Sequence, residues 1–95
     1  MTVKVFKLIN SEVVIAEVVN TNHDHYELEN PANIGLQQTE TGMSVGIAEY
    51  MPYASGRVTL RFAAIASEAE PEQKLANEYN RIYGSGIVIA NQLPR

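Results

Sequence analysis

VKVFKLINSEVVIAEVV, residues 3–19, sets two apolar runs on either side of the polar pair Asn10-Ser11. Val and Ile dominate both runs. Their branched side chains suit a pleated surface, and each run has the length of a strand rather than of a helix. The stretch reads as a β-hairpin, yet neither strand alternates cleanly. In the second, Val13, Ile15 and Val19 share one face while Val14, Ala16 and Val18 share the other, so both faces need apolar cover. A lone flat sheet cannot supply it. A small, strongly bent barrel does, with its interior filled by its own side chains and part of its exterior covered by a helix, a loop or a neighbouring subunit.

The chain has 95 residues, enough for one domain spanning 1–95 and too few for a second core. A hydrophobic content of 45% suits a globular chain and is too high for intrinsic disorder. The formal charge of -4, with seven basic residues, argues against holding duplex DNA by general electrostatic attraction, which needs clustered Lys and Arg. The absence of cysteine removes disulfides, thiolate zinc sites and cysteine nucleophiles together, and it fits a cytosolic setting. No apolar run approaches the roughly 18 to 20 residues that span a bilayer, and no basic region followed by a hydrophobic stretch opens the chain. The expectation is a cytoplasmic protein without a membrane partner.

Beyond the hairpin, Asn20 to Asp24 are turn-forming residues that end the second strand. From His25 to Asn30 the alternation is strict, Tyr26 and Leu28 on one face and His25, Glu27 and Glu29 on the other. Asn30-Pro31 interrupts it, because proline gives no backbone donor, before Ile34 and Leu36 resume. Thr39 to Gly42 reads as a turn, and Met43, Val45 and Ile47 then alternate with small residues. After a connection around Pro52 and Gly56, Val58, Leu60 and Phe62 alternate with Arg57, Thr59 and Arg61, and the two arginines face Glu27 or Glu29 across the sheet. The period then changes. Glu68, Glu70 and Glu72 surround Pro71 in the manner of a helix start, and Leu75, Tyr79 and Ile82, with Ala76 and Tyr83 beside them, give an amphipathic helix over about 71–83 that Gly84 ends. Residues 87–90, IVIA, read as a buried last strand, and 91–95 as a polar tail.

Two pieces of this order resemble the Sm-like family. The opening KLINSEVVIAEVVNTNHDHYELEN is similar in pattern and length to the first Sm motif, and the ending IYGSGIVIA to the second; ELENPANI followed by YMPYA resembles short Sm-like proteins carried by bacteriophages. The likeness covers most of the chain. It implies a small five-stranded, strongly bent open barrel of the SH3-like kind, here with one amphipathic helix inserted before the last strand. It also implies copies joined edge to edge into a ring, which in this family often binds single-stranded RNA around its pore. For a phage-type member the implied compartment is the cytoplasm of a bacterial host. Two departures bear on function. The loop after the second strand lacks the Asp-x-x-x-Asn spacing of RNA-binding members, and Tyr83 stands where they carry Arg.

Asn20, Asn22, His23, His25 and Tyr26 are the candidates for one side of an RNA pocket, since amides read base edges and flat rings stack on bases. Tyr83, Gly84 and Ser85 are candidates for the facing side. The plainer reading is a solvated turn for the first group and a helix stop for the second. His23, Asp24 and His25 include metal-ligand residue types, but adjacent strand residues point to opposite faces and the sequence offers no third ligand, so no metal or other cofactor is expected. Ser55-Gly56 and Ser85-Gly86 lack a nucleophile elbow and a base, and an enzyme is not expected. Two functions stand: an RNA-binding homo-oligomeric ring, or a structural or adaptor oligomer that binds another protein and no RNA.

Overall fold

Thr2–Leu8 (β1) and Val13–Thr21 (β2) pair antiparallel in the computed structural model, which describes residues 2–84 of the chain. The connecting turn is closed by hydrogen bonds from Leu8 N–H to the Glu12 carbonyl and from Ser11 N–H to the Leu8 carbonyl. Ser11 takes the left-handed backbone conformation there (φ 77°), as tight turns require. Both faces of the hairpin are covered. On one face Phe6, Leu8, Val14, Ala16, Val18 and Leu28 form the interior of a curled sheet, and on the other Ile15 is fully buried beneath a helix. Each Val, Leu, Ile or Phe among them contributes roughly 1.5–3 kcal/mol when fully buried.

The remaining strands are His25–Thr39 (β3), Gly42–Glu49 (β4), Val58–Arg61 (β5) and Ile65–Ala69 (β6), with a single 3-10 turn at Phe62–Ala64 between the last two. The sheet path runs β4-β3-β2-β1-β6, and β5 pairs with β3. The result is a mostly β, strongly curled open half-barrel with one helix. Its strands number six among the described residues, not five. The additional strand is β6, whose residues Ile65 to Ala69 carry little apolar alternation and read in the sequence as the approach to a helix. It forms because β1 offers it an edge, in the register Phe6↔Glu68 and Lys7↔Ser67.

Asn30-Pro31 does not divide β3 into two strands. The chain passes through as one 15-residue strand, and pairing with β2 skips between Glu29↔Glu17 and Ala32↔Ile15. Asn30 there adopts φ 52°, so the missing donor of Pro31 is absorbed in a bulge. The bend separates two partners on the other side of β3. Residues 25–28 pair with β5, and residues 32–39 pair with β4.

The helix α1 spans Gln73–Tyr83, two residues shorter at its start than the acidic cluster suggests. Glu68 belongs to β6 and Glu72 is the residue before the first turn, so the first turn itself carries no acid. Leu75, Tyr79 and Tyr83, at steps of four, face the sheet with Val3, Val5, Ile34 and Ile47, whereas Ile82 is 43% exposed on the flank. The Tyr79 ring is fully buried, and its hydroxyl lies 2.7 Å from the Asn30 carbonyl and 3.2 Å from that of Glu29, donating to both. Burial pushes this phenol well above its ordinary pKa. Gly84 ends the helix with its N–H on the Asn80 carbonyl; its φ is ordinary, and glycine is needed because a Cβ would collide with that carbonyl oxygen. In the described chain the helix therefore follows the last strand. The strand expected at 87–90 and the tail at 91–95 lie outside the described residues.

The bend and its anchor give two expectations. Tyr79→Phe keeps the ring but removes the donor at the bulge, and the midpoint of urea unfolding should report a loss of about 1–2 kcal/mol. Asn30→Gly should be tolerated in the same measurement. Asn30→Val, whose branched side chain resists positive φ, should lose about 1–2 kcal/mol.

Candidate functional site

The polar loop between β2 and β3 is organised around His25. Asn22 N–H bonds the His25 carbonyl, and the His25 ring lies between Asp24 and Asn22, with Nδ1 2.7 Å from Asp24 Oδ1 and Nε2 3.1 Å from Asn22 Nδ2. A carboxylate only accepts, so Nδ1 carries the proton and Nε2 takes the amide hydrogen of Asn22. The His25 hydrogen bond, aided by Arg61 at 3.6 Å, holds the Asp24 carboxyl below its usual range. The loop thus satisfies itself, leaving His23 and Asn20 exposed beside it. Among the described residues no three His, Cys, Asp or Glu side chains converge as a metal site.

Tyr26 follows a different course. Its ring packs on Phe6 and Phe62, with centroids 5.4 and 4.9 Å away, and its hydroxyl donates to both oxygens of Glu68 at 2.9 and 3.0 Å. Lys4 Nζ bonds the same carboxylate at 2.8 Å and sits 5.8 Å from the Tyr26 ring centre. A base stacking on this ring would have to displace barrel side chains. Asn20 and Tyr26 border one shallow depression of about 290 Å³ that also meets Lys4.

Tyr83 and Gly84 lie elsewhere. Tyr83 packs on Tyr79 with tilted rings and centroids 5.2 Å apart, on the helix-covered outside of the sheet, whereas Tyr26 belongs to the inside. The two halves of the expected pocket are therefore not brought together, because the helix seats Tyr83 across the sheet thickness from the His25 loop. Ser85 lies outside the described residues. Tyr83 instead borders a cleft of about 500 Å³ with Glu29, Pro31, Glu49, Met51 and Arg57, between the bend of β3 and the β4–β5 connection. Burial, with Glu49 nearby, raises the Tyr83 phenol. Arg57 meets Glu27 and Glu29 at 3.4 and 3.3 Å, as the cross-strand reading of the arginines expects, while Arg61 pairs with Asp24 instead.

The Lys4, Tyr26 and Glu68 cluster has no counterpart in the sequence reading, because Glu68 counts there as a helix-start acid. Only the pairing of β6 with β1 brings these residues together. Its electrostatics are testable. The Lys4 hydrogen bond, with that of Tyr26, holds the Glu68 carboxyl below its ordinary 4.5. A lowered folded pKa stabilises the fold above the ordinary value, and the contribution disappears as pH falls through the folded one. Glu68→Gln should lose about 0.5–1 kcal/mol at neutral pH in denaturant unfolding, and the gap from the native protein should close below the carboxyl range.

No protein-family model matches this sequence, and neither does any curated protein.

Proposed function

We propose that the chain is a subunit of a homo-oligomer of the Sm-like, phage-borne kind, in which curled barrels join edge to edge into a ring, and that its role is structural or adaptor-like. The observation that carries this reading is the open sheet. β4 and β6 end its path, and among the described residues each pairs on one side only. A bare edge is a row of backbone donors and acceptors that another strand satisfies. The two edges differ, β4 being uncharged from Gly42 to Ala48 and β6 carrying Glu68, which suits a head-to-tail contact that closes as a ring. Among the described residues no helix is long and apolar enough to cross a membrane.

RNA binding is the second reading, favoured by the depression that joins Asn20 and Tyr26 to the cation of Lys4. Against it stand the engagement of Lys4 and Tyr26 with Glu68 and the separation of Tyr83. Light scattering on eluting protein should give a stable multiple of the monomer mass; a monomer at every concentration refutes the ring. Fluorescence anisotropy with U-rich and A-rich oligonucleotides separates the two roles. Binding that weakens steeply with salt assigns RNA, and none at low salt leaves the structural role.

A further inference from the structure

The two strands on either side of Thr39–Gly42 form an arm whose faces are chemically opposite. Cross-strand pairs Ile34↔Ile47, Leu36↔Val45 and Gln38↔Met43 place the apolar side chains on one face. The other face carries Asn33, Gly35, Ser44, Gly46 and Ala48. The apolar face continues the layer under α1. Ile34 and Ile47 belong to the cluster around Tyr79, but farther out Leu36 is 70% exposed, Met43 59% and Val45 51%. One-sided apolar alternation is the pattern of a ribbon covered on one side.

We propose that this face packs on the same face of a second copy of the chain, about a two-fold axis. The inference rests on the oligomer reading and adds a second contact to it. The choice of occupant follows from charge and area. From Ile34 to Ile47 the only ionisable side chain is Glu40, in the turn at the tip, so a partner bringing charge finds nothing to pair with. Copies with a net charge of -4 repel in general, yet meeting here neither buries a charge nor sets like charges opposite. An identical ribbon supplies the required neutral apolar surface, since two sheets pack face to face at about 10 Å with their side chains interleaved. The three exposed side chains make a patch smaller than the roughly 800 Å² per partner of a stable standard interface. The arm contact therefore reinforces edge pairing and is concentration-dependent when acting alone.

The native chain has no cysteine, so a single introduced thiol reports its surroundings. Val45→Cys is examined in the full chain by disulfide crosslinking, maleimide labelling and light scattering. The thiol should crosslink to a covalent dimer, and labelling should slow by about tenfold from dilute to concentrated protein, as mass action requires. A thiol that neither crosslinks nor gains protection, in protein that is nonetheless oligomeric, overturns the arm contact and leaves the edge reading standing. A monomeric mass throughout overturns both. A thiol protected equally at all concentrations and never crosslinked shows that another part of the same chain covers the face, and also overturns the proposal. His23→Cys, exposed in the loop between β2 and β3 and away from both the arm and the sheet edges, is the control and should label at one rate throughout the same concentration range.

Discussion

Ile15 and Ala16 are consecutive, both fully excluded from solvent, and face opposite sides of β2. Successive strand side chains always point to opposite faces, so a strand buried at two neighbouring positions must have an apolar layer on each side. Everything else in the fold follows from supplying those layers. The sheet curls until Phe6, Val14, Val18 and Leu28 meet inside it, and α1 lies across the outside with Tyr79 over Ile15. The bulge at Asn30-Pro31 permits the curl and is held by the same tyrosine, which links the two layers at one point.

The parts of this arrangement legible in sequence are those governed by local periodicity. Residues 3–19 announce a hairpin with two buried faces, Arg57 announces its meeting with Glu27 and Glu29, and Leu75 with Tyr79 announces a helix lying on a sheet. What escapes is decided by partners distant in the chain. Ile65 to Ala69 has almost no strand signal of its own and is a strand because β1 offers an edge. Glu68 looks like a helix-start acid until Lys4 and Tyr26 stand beside it. The two groups of candidate site residues look adjacent through their resemblance to a family pattern. The sheet separates Tyr26 from Tyr83 because one packs within the curl and the other beneath the helix.

Several polar groups among the described residues are occupied with one another. His25, Asn22 and Asp24 bond within their loop, Arg57 spans two glutamates, and Tyr26 and Lys4 share one carboxylate. The unspent capacity lies in backbone edges and in the apolar side of the arm. Surfaces of that kind recognise shape and strand register rather than charge, as the proposed association between copies requires.

The β1–β6 ladder joins the first and last strands of the described residues, with Lys4 bonding Glu68 across 64 positions. Contacts so far apart in sequence form only after the intervening loop has been closed, and they weigh on folding speed more than on final stability. During synthesis β1 and β2 leave the ribosome well before β6, so the outer edge of β1 stays bare until almost the whole barrel has emerged. The nascent chain is at that stage a sticky half-sheet, and its hazard is premature pairing with a neighbouring chain on the same message.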